Sequence, residues 1–331
     1  MIRRAFTWIR ENRLIVAVGV VSLLVPAIVQ SDYYMQVVTM CCLFAIGALS
    51  LNLILGYTGQ ASLAHGGFFA IGAYCVAILT HTAGWNFWAA LPTAAALAAA
   101  VGLVVGLPAL RTRGAYFAIA TLCLGEIIHI VAGNWVALTG GHNGIVGVPA
   151  PSPIPVPLIG SIAFESDVAR YYLVLGFLAA TLLVLHRLVK SVLGLTFMAV
   201  RNNEELAEAL GINTFRTKLL SFVVANFLAG MAGGLYAALI GSISPAVASI
   251  MVTFNFLLYV LLGGIATLAG PVTGAFGVPI LMEYLQVLQH FQMILYGVLL
   301  IVVIVYFPLG LMGGIRKLRE KYNRSKAASA Q

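Results

Sequence analysis

The chain has 331 residues, 61% of them apolar and 8% charged, against roughly 25% charged in a soluble domain. So few charges cannot cover a water-soluble body of this length, and they are unevenly placed. Leu14 to Leu110 is a stretch of 97 residues with one charge, Asp32, and Leu219 to Ile315 is another 97 with one, Glu283. A formal net charge of +8 would suggest nucleic acid in a soluble protein, but here the basic residues cluster between and after apolar runs, as orientation signals do. The chain reads as an all-α polytopic membrane protein whose surroundings are the lipid bilayer, with no nucleic-acid partner.

Arg3, Arg4, Arg10 and Arg13 precede the first apolar run and mimic a signal peptide. No small-x-small cleavage site follows and further spans come after, so a retained first helix is expected. Crossing ~30 Å of hydrocarbon takes about 20 helical residues. On that measure, spans are predicted near 14–30, 35–55, 61–80, 87–109, 114–133, 170–189, 218–240, 250–269, 272–289 and 291–309, about ten helices. Glycines interrupt the apolar runs at 56–67 and 263–274, so some of the helices are expected to be broken. With the N-terminus in the cytoplasm and the spans alternating, 17 of the 18 Lys and Arg residues fall inside and only Arg170 falls outside. Both termini are therefore expected in the cytoplasm. The predicted division is a cytoplasmic N-terminus (1–13), a membrane domain (14–315) and a basic cytoplasmic tail (316–331).

Two connections inside that domain are long. The external one, 134–169, is rich in Gly and Pro and reads as a semi-rigid extended segment. The cytoplasmic one, 190–217, holds good helix formers from Asn202 to Leu210, with Gly211 as a helix stop. Leu206 and Leu210 share one face of that helix, with Glu204, Glu205 and Glu208 spread over the other side. An internal match also stands out: residues 59–72 align with 264–277 at six identical positions of 14, and Ser62 pairs with Thr267. A true internal repeat with interrupted helices would place a binding site near the breaks. Chance similarity within a small membrane alphabet is the alternative.

Enzyme constellations are missing from the sequence. It has no Gly-Lys dipeptide and hence no P-loop, no GxSxG, no HExxH and no paired carboxylates. Cys41, Cys42, Cys75 and Cys123 lie in apolar spans without CxxC spacing, so neither a disulfide framework nor a metal site is expected.

Three segments carry a family resemblance: LNLILGYTGQASLAHGGFFAIGAY (51–74), LRTRGAYFAIATLCLGEIIHIVAGNWVALTGGHNGIVGVP (110–149) and AVRNNEELAEALGINTFRTKLLSFVVANFLAGMAGGLYA (199–237), continued by ISP (243–245) and LGGIATLAGPVTGA (262–275). Together they resemble the permeases of branched-chain amino acid ABC importers, specifically the LivM-type subunit, over roughly 50–315. The resemblance implies a bacterial inner-membrane protein that pairs with a second, LivH-like permease. It implies two ATPase subunits that bind the ATP, so that this chain carries no cofactor, and a periplasmic substrate-binding protein. The expected role is passage of Leu, Ile and Val, driven by hydrolysis in the partners. Importers of urea, other small amides or other amino acids share these motifs and are the close alternative. A stand-alone secondary carrier, or an intramembrane enzyme, would come from a different class.

Two groups of residues are singled out. For docking the ATPases, Arg201, Glu204, Glu205, Leu206, Ala207, Leu210 and Gly211 are the candidates. Glu205, Ala207 and Gly211 match the permease pattern, Ala207 and Gly211 would allow close approach to a partner groove, and Arg201 and Glu205 at i, i+4 would brace the helix. An amphipathic helix lying on the headgroups is the other reading. For the substrate path, Gly56, Gly59, Gln60, Ser62, His65 and Gly66 form a polar run between apolar spans. Unwound backbone is tolerated at membrane depth only beside protein or a cavity, although small residues also serve close helix packing. Glu126 joins them as an intramembrane acid. His129 one turn away could pair with it instead, and Glu283 could snorkel to the interface.

Overall fold

The structure is a computed structural model, and it describes residues 31–156, 160–162, 164 and 166–285, with isolated positions at 25–26, 297–298 and 301. The spans expected at 14–30 and 291–309, the terminal segments and the total helix count lie outside those residues. Within them, five helices are long and apolar enough to cross a membrane. The first, α1 (Asp32–Asn52), ends in a widened π-helical turn, Leu53–Tyr57. The others are α3 (Phe87–Ala109), α4 (Ala115–Asn134), α6 (Asp167–Lys190) and α9 (Thr214–Ile240). Between them lie α2 (His65–Ala77), the single turn α5 (Val136–Thr139), α7 (Val192–Asn202) and α8 (Glu204–Ala209). After α9 come α10 (Ile250–Gly263) and α11 (Ala269–Leu285).

The borders expected for α3 and α4 hold within one residue, whereas α6 and α9 begin three and four residues before expectation. Asn86 caps α3 through Trp88 N at 2.9 Å, and Ser166 caps α6 through Ala169 N at 3.2 Å. The glycine-marked borders shift as far or further. The span expected at 61–80 starts at His65, and the one expected at 250–269 stops at Gly263.

The core gathers around α1 and α9. α9 packs along α2 and α3, while α1 packs on α6, α9, α10 and α11. Where α2 crosses α9, a Cβ at Gly72 would lie 1.9 Å from the Gly230 carbonyl oxygen, and one at Gly233 1.8 Å from that of Phe69. Only backbone against backbone fits there, the small-residue packing that replaces the hydrophobic effect within a bilayer. Aromatic rings fill the wider gaps. Phe69 meets Phe256 at 5.6 Å, and Phe222 meets Phe68 at 5.7 Å and Phe117 at 6.0 Å.

The 134–169 connection differs from its expectation. Beyond being extended, it is pinned. β1 (Ile145–Val146) pairs antiparallel with β4 (Ser242–Ile243), and β2 (Ile154–Val156) with β3 (Gly160–Ile162). Trp88 also donates from Nε1 to the Ser152 carbonyl at 2.9 Å. Backbone groups that proline leaves free of a helix take partners in short strands instead.

Candidate functional site

The helix expected in the 190–217 connection is α8, and its ends explain its shortness. Asn203 has extended backbone (φ −159°) and its side chain accepts from Leu206 N at 3.0 Å, an N-cap. At the other end Gly211 adopts φ +83°. Gly211 N donates to Glu208 O at 2.9 Å and Ile212 N to Ala207 O at 3.0 Å, the paired bonds of a Schellman stop. Asn213 then caps α9 through Arg216 N at 2.9 Å.

Side chains fasten one face of α8 to the rest of the chain. Glu204 is ion-paired with buried Lys218 of α9 and lies 3.7 Å from Arg113 of the loop after α3. Glu208 accepts from Thr214 Oγ1 at 2.6 Å and lies 3.9 Å from Arg113. Ala207 packs inward at 2% exposure, while Leu206 and Leu210 stand out at 58% and 73%. Glu205 is exposed beside them.

Two expectations are corrected here. Ala207 is buried against its own chain, so it cannot offer a partner close approach. Arg201 and Glu205 make no ion pair among the described residues, because Asn203 ends α7 before α8 begins and the i, i+4 register is lost. Arg201 lies against the polar run instead: a Cβ at Gly59 would meet its Cγ at 3.1 Å.

That run is an interruption. Between Tyr57 and His65 the chain is irregular, and its polar groups find partners on several helices. Thr58 Oγ1 donates to Ile54 O at 2.6 Å, with Ser221 Oγ of α9 at 3.3 Å. Leu63 N donates to Thr121 Oγ1 of α4 at 3.0 Å, and Gly66 N to Thr253 Oγ1 of α10 at 2.8 Å. The first turns of the two short helices α2 and α10 thus meet each other. Gly125, near the middle of α4, packs on Ala64 (3.3 Å from an ideal Cβ to Ala64 Cα), which sets the interruption against mid-helix.

His65 is fully buried, with Nε2 at 2.6 Å from Ser50 Oγ. Ser50 spends its one hydrogen on Gly47 O at 2.7 Å. Nε2–H must therefore be the donor to Ser50, which leaves Nδ1 as an acceptor. Neither His65 Nδ1 nor the buried Ser62 Oγ has a partner among the described residues. Of the remaining candidates, Gly56 and Gly66 are buried, Gln60 is half-buried and Gly59 is exposed.

Glu126 is not in that cluster. It lies exposed on α4, one position beyond Gly125. The pairing weighed for it is absent among the described residues, because His129 turns away and places Nδ1 at 2.9 Å from Pro245 O. An acid at the centre of a membrane helix costs about 2.5–3.5 kcal/mol on insertion scales. Glu283 takes a hydrogen bond from Tyr33, so it is met at a helix end.

The residue that ties this region together, Asn52, is not among the candidates named from the sequence. Asn52 donates from Nδ2 to Thr267 O at 2.8 Å and accepts from Ala266 N at 3.0 Å. It therefore ties α1 to a second interruption, between Gly263 and Ala269. An asparagine deep in an apolar run was the available signal.

The family model for "Branched-chain amino acid transport system / permease component" matches residues 33–304. The chain belongs to that family. It is 31% identical over 340 residues to the "High-affinity branched-chain amino acid transport system permease protein LivM" of Salmonella typhimurium, covering 97% of this chain and 80% of that protein. The LivM protein of Escherichia coli K12 is 32% identical over 346 residues, with the same shares covered. The LivH permease of the same Escherichia coli strain is 25% identical over 292 residues, 83% of this chain and 93% of that protein. No solved structure matches significantly. The matched region takes in both interruptions and α8 of this permease, so every element of the candidate site lies within family sequence.

Proposed function

We propose that this permease is the LivM-like subunit of an ABC importer for the branched-chain amino acids Leu, Ile and Val, seated in a bacterial inner membrane with both termini in the cytoplasm. It pairs with a LivH-like permease, receives substrate from a periplasmic binding protein, and is driven by two ATPase subunits that bind the nucleotide. The observation that carries the ATPase partnership is the form of α8. A six-residue helix is too short to be stable alone, yet this one is capped at both ends and ion-paired to α9. Its two leucines are left facing outward. Rigid presentation of an apolar pair on a short helix suits insertion into a groove of a motor subunit. Through Lys218 and Arg113 a push on α8 reaches α9 and the loop after α3. Substrate would pass near the interruption, where backbone and buried hydroxyls offer polar contacts to a zwitterion.

The test is purification of the chain with its candidate partners and uptake of labelled leucine by reconstituted vesicles. Leu206→Asp with Leu210→Asp should abolish ATPase recruitment and uptake while the permease still inserts and pairs. Full ATPase binding by that double variant would remove α8 from the coupling role, and uptake of urea with no uptake of leucine would reassign the substrate. Gly211→Trp is a poorer probe, since φ +83° strains any L side chain and confounds docking with helix termination.

A further inference from the structure

Resting on the permease reading, we infer that the edge of α4 bearing Glu126 borders the translocation path, and that Glu126 receives the ammonium group of the passing amino acid. α4 has 20 residues from Ala115 to Asn134. At 1.5 Å per residue, Glu126 sits about 17 Å from one end and about 12 Å from the other. It is therefore far from both headgroup layers, too deep for a side chain this short to snorkel. Two arrangements can hold an acid at such depth: a partner inside the chain, or a polar space beyond it. Glu126 has no hydrogen bond or ion pair among the described residues, and it is exposed. Among the described residues the first arrangement is absent, which points to the second.

The pattern along the helix identifies that space. Positions 126, 129 and 133 lie at i, i+3 and i+7, one edge of a 3.6-residue helix. His129 is half-buried on that edge and bonded to Pro245 O. At Gly133, the missing side chain makes room for His142, whose Cε1 lies 3.2 Å from an ideal Cβ. Polar groups thus lead from the 134–169 end of α4 down to its middle and stop at a carboxylate. On its outer side Glu126 is flanked by Ile119 and Ile130, exposed at 58% and 52%, which suit contact with an aliphatic side chain or with the apolar wall of a second, homologous permease. A single anion at the end of a polar edge, with apolar surface beside it, matches the two halves of a branched-chain zwitterion. The substrate's carboxylate would be met elsewhere.

The experiment uses the assembled transporter in membrane vesicles, with three thiols on this face: native Cys123, and cysteines at Ile119 or Ile130. A trimethylammonium-bearing and a sulfonate-bearing methanethiosulfonate are applied in nucleotide-free and nucleotide-trapped states, and labelled sites are located by peptide mass. Thiols react as thiolates and so only where water reaches them. Reaction is expected at one or more of the three, with the ratio of cationic to sulfonate rates exceeding that of a free thiol by about tenfold because of the nearby carboxylate. Glu126→Gln should remove that preference, and millimolar leucine should slow labelling. In uptake, Glu126→Gln should raise the apparent KM by about tenfold or more, the loss of one charge-assisted contact. Glu126→Asp should recover part of the affinity. If all three thiols stay inert in every state, the face is dry and the inference fails. It fails equally if the excess over the free-thiol ratio survives Glu126→Gln. If the labelling pattern holds but wild-type vesicles take up no leucine, the substrate assignment falls and the path stands.

Discussion

The two interruptions of the membrane domain are built on opposite plans. The one before α2 has its freed backbone and hydroxyl groups met by Ser221, Thr121 and Thr253, on three different helices. The one before α11 is nearly self-contained. Thr267 Oγ1 donates to Gly264 O at 2.9 Å and accepts from Gly270 N at 3.0 Å, and Asn52 supplies both remaining bonds from outside. The two hydroxyls paired by the internal match therefore do different work, since Thr267 closes its own turn while Ser62 is buried without a partner among the described residues. A break whose bonds are shared among several helices senses any of them moving; a break held by one residue moves with that residue's helix. The first adjoins Arg201, next to the proposed docking helix, and the second rides on α1.

The largest effect should come where the two breaks touch. A Cβ at Gly56 would fall 2.1 Å from Asn52 Oδ1 and 2.7 Å from Ala266 N, so Gly56→Leu must displace α1 or the second interruption. Loss of monodisperse protein after extraction, and of uptake, is expected; near-normal yield and transport would show that the contact is dispensable. Asn52→Ala comes next. It strands one N–H and one C=O at half-buried Ala266 and Thr267, at about 1 kcal/mol or more each, and should lower the thermal midpoint of the purified complex by a few degrees. Thr253→Val should cost less than Asn52→Ala, since one donor, Gly66 N, loses its partner while Thr121 and Ser221 still hold the same break. A larger loss for Thr253→Val than for Asn52→Ala would reverse the comparison.

How much of this was readable from the residues depends on the kind of signal. The span Phe87–Ala109 could be placed to the residue and others within a few, because a bilayer leaves apolar length as the main variable. The interruption at 56–64 and the stop at Gly211 were legible for a local reason: runs of Gly, Ser and Gln have no use inside a plain span. The partners were not. Nothing near Asn52 in sequence points to Thr267, 215 positions away. Hydropathy also does not say which span is central. α1 with its π turn and α4 are both apolar enough to span, yet the first is largely buried within the protein and the second largely exposed. The Arg201–Glu205 brace failed because i, i+4 spacing presumes an unbroken helix, and Asn203 is a better cap than a helix-interior residue. The 192–202 helix was missed because its leucines and valine, read as a connection, fell short of a span.

The smallest expected effect tests whether the first interruption senses the docking helix. Gly59 has φ +73° and would put a Cβ 3.1 Å from Arg201 Cγ. Gly59→Ala therefore carries two costs of different kinds. The left-handed backbone costs about 1–2 kcal/mol for an L residue, whatever surrounds it. The contact itself is cheap, because an arginine stem swings aside by a few tenths of an ångström. Stability should consequently fall only slightly, and Arg201→Ala, which removes the neighbour, should leave the stability cost of Gly59→Ala unchanged. Coupling should behave otherwise. If Arg201 transmits movement of the 190–217 segment to the break, either substitution should lower leucine uptake per ATP hydrolysed, and the double variant should be no worse than the poorer single one. Additive losses in that ratio would mean the two residues touch without communicating, and the interruption would then take its signal through Ser221 and α9.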